Sequence, residues 1–216
     1  MLKRHFFFDV DGTAVDSSPA AIEAFGELRE NLFHGVPPVE HPDDWGNVFT
    51  GPLMQAFSPV LTEFQTRAFF DCHSAMMARK YPSLKLFSGI GELFRAIGPK
   101  HISFVTSAYS DKVAALIEQQ TGLRKERFHC FAGREWMRRK SEKIRHILTG
   151  LRMDPADAIY VGDLESDLIY CRKVPVDCVL VTYGYLPKSY ISTISPPPTQ
   201  VVDSVEELKN FLISIC

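Results

Sequence analysis

The chain has 216 residues, of which 45% are hydrophobic and 23% charged, and a formal net charge of −2. This balance suits a soluble globular protein of one sizeable domain, or a domain carrying a smaller insert. It argues against a general nucleic-acid binder, which would be basic, but leaves room for a local basic pocket.

Residues 6–8, three phenylalanines, read as a buried strand, because aromatic residues favour strands and three in a row leave no solvent face. Asp9, Asp11, Gly12 and Thr13 follow at its C-terminal tip. Strand alternation would point Asp9 and Asp11 to one side, where two carboxylates repel unless a cation or proton joins them. On this stretch alone, a plain Asp-Gly turn is an open alternative. Ser17 or Ser18 can cap a helix over 20–32 with Pro19 in its first turn, and Ile22, Phe25, Leu28 and Leu32 supply its apolar face. Prolines and glycines make 34–46 a loop or a pair of turns. Two short helices are expected over 47–61. A long helical pattern over 63–81 carries Phe64, Phe69, Met76 and Met77. No strand is expected between 14 and 87, so this segment reads as a helical insert.

From residue 88 strand and helix alternate. Helices are expected over 89–97, 112–120, 141–151, 164–172 and 204–213, and strands over 102–105, 128–132, 158–161 and 178–182. A last short strand falls at Val201-Val202, after an exposed proline loop at 195–198. This order implies an α/β fold with a Rossmann-like parallel sheet covered by helices on both faces. The five cysteines (Cys72, Cys130, Cys171, Cys178, Cys216) include no CxxC and read as reduced thiols. No apolar run is long enough to span a membrane, and the stretch after Lys3 and Arg4 is broken at Asp9, unlike a signal peptide. A cytoplasmic location is the default expectation.

Polar groups close the later strands: Thr106 and Ser107 after one, Asp163 with Asp167 four residues on after another, and Lys140 after a third. A parallel sheet brings such tips to one edge, together with Asp9 and Asp11. Four carboxylates and a lysine gathered there call for a ligand. A hard cation with oxygen ligands and a phosphate group would satisfy them together.

In these residues the chain resembles the haloacid dehalogenase-like hydrolases, in particular the helical-cap phosphatases of the phosphoglycolate phosphatase and β-phosphoglucomutase type. Asp9-Val-Asp-Gly-Thr13 matches the opening motif, 102–106 the second, Lys140 the third, and Gly162-Asp163 with Asp167 the fourth. Ser141 stands where the family often has proline after the lysine, so Lys143 and Lys100 are rival candidates; spacing favours Lys140. The resemblance implies a core of residues 1–15 and 88–216 and a helical cap of 16–87. It implies a Mg²⁺-dependent phosphatase that hydrolyses a small phosphorylated metabolite as a monomer or homodimer. Asp9 would be the nucleophile and Asp11 the general acid and base. Asp9, Asp163, Asp167 and the Asp11 carbonyl would hold Mg²⁺. Gly12, Thr13, Thr106, Ser107 and Lys140 would hold the phosphoryl group, with Thr13 also positioning the nucleophile. A phosphomutase is the nearest rival, and a non-catalytic binding protein a remote one. Dehalogenase and phosphonatase chemistry are disfavoured by Asp11. Arg134, Arg138 and Arg139 read as a solvated basic patch. In the insert, His34, Trp45, Arg67, His73, Arg79 and Lys80 read as surface or cap core, and Phe64, Phe69, Met76 and Met77 as cap packing.

Overall fold

The computed structural model describes residues 2–41, 44, 57 and 59–216. The expected short helices over 47–61 lie mostly outside these residues, and Trp45 lies outside them entirely. Strand β1 (His5–Phe8) is buried along its whole length, as three consecutive phenylalanines require. It forms the centre of a six-stranded sheet with β4 (Ile102–Val105), β5 (Cys130–Ala132), β6 (Ala158–Gly162), β7 (Asp177–Val181) and β8 (Gln200–Val202). The spatial order is β5-β4-β1-β6-β7-β8, and every pairing is parallel. The chain leaves β1 to build one half on β4 and then crosses to build the other on β6. The topological switch point, where ligands bind in open α/β sheets, therefore lies at the tip of β1.

Helices α3 (Ile90–Ile97), α4 (Ser110–Thr121) and α8 (Val205–Ser214) form one layer, and α5 (Lys140–Leu151) and α6 (Glu165–Arg172) another. The apolar face expected for α3 is the face it buries: Ile90, Leu93, Phe94 and Ile97. A short α7 (Lys188–Ile191), unforeseen in the sequence, precedes the proline loop. All five cysteines are free.

Between β1 and α3 stand the cap helices α1 (Ser18–Asn31) and α2 (Glu63–Lys80), packed on one another. They enclose a small aromatic core in which Phe25 meets Phe69 edge to face at 4.8 Å, and Phe57 lies 5.5 Å from Phe69. Thr62 and Gln65 form a reciprocal cap at the start of α2: the Gln65 amide donates to the Thr62 hydroxyl, and the Thr62 amide to the Gln65 side chain.

Two expectations about these faces fail. Leu32 is exposed because α1 stops at Asn31. Phe64 is 81% exposed because it lies about 140° around α2 from Phe69. A third correction concerns strands. Val15–Asp16 (β2) and Lys85–Leu86 (β3) pair antiparallel where the chain leaves the core and where it returns. Two residues a side are too short to leave a periodic signal.

Candidate active site

The register that centres β1 also sets the site. Phe8 pairs with Phe104 on one side and with Val161 on the other, so the tips of β1, β4 and β6 end level. Beyond Phe8 the chain does not continue as a strand. The Val10 carbonyl accepts from the Thr13, Ala14 and Val15 amides, which curls the segment into a tight turn. Asp9 and Asp11 therefore line the same cavity by way of a turn, rather than through strand alternation.

Asp9, Asp163 and Asp167 are buried, with carboxylate oxygens within 4.8 Å of one another. Lys140, the first residue of α5, donates to Asp9 at 2.6 Å and to Asp167 at 2.7 Å. An ammonium at a helix N-terminus opposes the helix dipole, and the two carboxylates outweigh that cost. Burial alone would lower the Lys140 pKa, but Asp167 and Asp9 carry it above the ordinary lysine range. Burial pushes Asp9 up to about 7, against the pull of the Lys140 ammonium. Burial and the adjacent Asp9 and Asp167 hold Asp163 well above the ordinary carboxylate range as well. Three buried carboxylates thus share a site with one ammonium, which bonds two of them, and their oxygens form a donor set that fits a hard divalent cation.

Asp167 also accepts from the Leu164 amide and from the Tyr160 hydroxyl, so it is at once a first-turn acid of α6 and a member of the cluster. Asp163 accepts the Tyr185 amide at 2.8 Å and the Thr13 hydroxyl at 3.3 Å. Thr13 is fully buried and its hydroxyl serves Asp163; it is directed neither to the nucleophile candidate nor to the phosphate site expected for it. The Gly12 amide, expected as a phosphate donor, is engaged by the Val15 carbonyl at 2.9 Å. What Gly12 provides is space. Its φ is +76°, and a Cβ there would stand 2.1 Å from Asp163 Oδ2.

Asp11 has a separate setting. The Tyr81 hydroxyl donates to it, 2.9 Å from Oδ1 and 2.8 Å from Oδ2. Burial raises the Asp11 pKa while the hydrogen bonds from Tyr81 and Ser17 oppose the rise. Ser17 heads α1, as expected, but its side chain does not cap the helix; it pairs with the Tyr185 hydroxyl at 2.7 Å.

Thr106 and Ser107 line the cavity. The Thr106 hydroxyl accepts from the Ala108 amide at 3.0 Å, which leaves its proton free to donate. Lys143, the rival to Lys140, binds the Thr106 and Gly133 carbonyls at 2.7 Å each, and burial with the adjacent Lys140 lowers it to about 8. Lys143 therefore braces the β4 and β5 tips, while Lys140 joins the carboxylates.

The cavity above these groups measures about 270 Å³. Its cap wall is one face of α2 continued into the next turn: Phe70, His73, Ser74, Met77, Ala78 and Tyr81, at helical spacing. His73 and Met77 thus belong to the cavity as well as to the cap core. Arg134, Arg138 and Arg139 also border it; Arg138 and Arg139 remain exposed, as a solvated patch requires, whereas Arg134 is half-buried. Arg134 pairs with Asp71 and Ser74 of α2 and so ties the β5–α5 loop to the cap. Tyr81, Tyr160, Tyr185 and Ser17 are among the site residues that the sequence does not reveal as such. Tyr81 lies 70 positions from its partner Asp11, and no local pattern marks it.

The sequence model of the family described as "Haloacid dehalogenase-like hydrolase" matches residues 6–181. Among curated relatives, the tyrosine-protein kinase PtkA of Mycobacterium tuberculosis is 25% identical over 95% of this chain and 71% of its own. A phosphoglycolate phosphatase of Chromobacterium violaceum is 27% identical over 95% of this chain and 94% of its own. The fold superposes on the crystal structure of a predicted phosphatase from Clostridium acetobutylicum with a TM-score of 0.77, at 24% identity, covering 99% of this chain and 100% of the other.

Proposed function

We propose, from the premise that this chain belongs to the haloacid dehalogenase-like hydrolase family, that it is a Mg²⁺-dependent phosphatase of a small phosphate monoester, similar to phosphoglycolate phosphatase. One observation carries this reading. Two carboxylates face one cavity with different partners, Asp9 tied to an ammonium and Asp11 to a hydroxyl. That division suits two tasks, attack and proton transfer. The phosphatase-named relative also matches over 94% of its length, against 71% for the kinase-named one.

Asp9 attacks phosphorus and forms an acyl phosphate as the ester oxygen departs with the proton of Asp11. Asp11, now a carboxylate, takes a proton from water, which attacks the acyl phosphate. Inorganic phosphate leaves, and Asp9 is regenerated as a carboxylate. Thr106, Ser107 and Lys140 hold the phosphoryl oxygens. Asp9, Asp163, Asp167 and the Asp11 carbonyl would hold Mg²⁺, which when bound offsets the repulsion between carboxylate and phosphate. We assign residues 1–15 and 88–216 to the core and 16–87 to a cap that excludes water and selects the substrate. The β2–β3 ribbon at the two crossings supports this division. No helix among the described residues is long and apolar enough to cross a membrane. We assign the enzyme to the cytoplasm.

The test is a panel of phosphate monoesters assayed with Mg²⁺ and with excess chelator. Hydrolysis that needs the metal is expected; full activity in chelator removes the metal assignment. A sugar phosphate isomerised rather than hydrolysed would make the protein a phosphomutase, and inactivity across the panel would make it a binding protein.

A further inference from the structure

Tyr81 is 2% exposed, and a buried phenol must find a hydrogen-bond partner. It sits in the turn Tyr81–Ser83, between the last residue of α2 and β3. Its ring is therefore placed by the cap helix on one side and by the returning chain on the other. The returning chain is fixed to the core: Gln120 of α4 donates to the Leu84 carbonyl at 2.7 Å and accepts the Leu86 amide at 2.9 Å. Between these two supports the hydroxyl faces both Asp11 oxygens at once, a geometry that fixes the direction of the carboxyl as well as its place. Asp9 is held by Lys140, which is part of the core. Tyr81 comes from the far end of the insert.

We infer that Tyr81 is the positioning residue of Asp11, orienting that carboxyl for proton delivery to the departing ester oxygen. The inference rests on the phosphatase reading above and extends it to a residue outside the four motifs. Proton delivery matters for a poor leaving group and little for one that departs readily as an anion. Tyr81→Phe keeps the ring and removes only the hydroxyl. Its kcat/KM should fall about tenfold on β-glycerol phosphate, an alkyl ester, and less than about twofold on 4-nitrophenyl phosphate. Equal losses on both esters, or no loss, would overturn the inference.

A readout without turnover separates this from failure of the phosphatase reading. In crystal structures of the parent protein and Tyr81→Phe, the Asp11 carboxyl should hold one orientation in the first and turn away in the second. An unmoved Asp11 overturns the inference even if the parent protein hydrolyses no phosphate ester. Conversely, a displaced Asp11 in an inactive parent protein upholds the positioning contact and rejects only the chemistry.

Discussion

On the core side of the cavity, charge is crowded and cross-tied. Lys140 spans Asp9 and Asp167, Thr13 and the Tyr185 amide hold Asp163, and Lys143 braces two strand tips. On the cap side, α2 turns Phe70, Met77 and Ala78 toward the same space, with His73 stacked on Phe69 and its pKa lowered by burial to about 4. The core wall is built to hold opposing charges in fixed places. The cap wall is built for shape. A change on the first should alter the rate of the chemistry, and a change on the second, Tyr81 apart, the fit of the substrate.

The largest effect belongs to Asp9. With Asp9 as the proposed nucleophile, Asp9→Asn should reduce turnover on the order of 10⁴-fold. The fold should survive, because the change relieves a cluster in which burial already opposes ionisation of Asp9. Unfolding curves without metal should show equal or greater stability, and retained turnover would exclude the covalent route.

Lys140→Ala comes next. It strands two buried carboxylates, which should weaken phosphate binding and destabilise the metal-free protein by about 3–5 kcal/mol. Phosphate titration and denaturant unfolding read the two effects separately. A silent variant would transfer the role to Lys143.

On the cap wall the expected change is smaller and of another kind. Met77→Ala should raise KM roughly tenfold with kcat within about twofold. Steady-state kinetics on one ester tests this, and a kcat loss without a KM change would erase the contrast between the walls.

The legible part of the molecule follows the same divide. The core strands announce themselves through apolar runs that end in Gly, Asp or Thr, and the four motifs fall at those ends. Lys140, Asp163 and Asp167 could therefore be placed on one sheet edge from their positions alone. The cap was legible as helix and as little more. Leu32 and Phe64 fit a helical period, yet they lie at a helix end and on an outward side, where periodicity no longer predicts burial. Arg134 looks like part of any solvated run until its pairing with Asp71 and Ser74 of α2 is seen. Tyr81 is invisible because its meaning depends on a contact between segments far apart in the chain. The motif assigns Thr13 and Gly12 to the phosphate, whereas the Thr13 hydroxyl donates to Asp163, the Gly12 amide donates to Val15, and Gly12 packs closely against Asp163.

The two-residue ribbon at the crossings has a consequence for how the chain tolerates change. Val15 faces Leu86 and Asp16 faces Lys85, so the whole insert is a loop whose ends are already tied together. For the core, residues on either side of the ribbon behave as sequence neighbours, whatever lies between them. Loop-closure entropy rises only with the logarithm of length, about 0.6 kcal/mol for each doubling. As far as closure is concerned, a change in the length of the insert costs the core little, provided the contacts that Ser17, Asp71 and Tyr81 make with the core are kept.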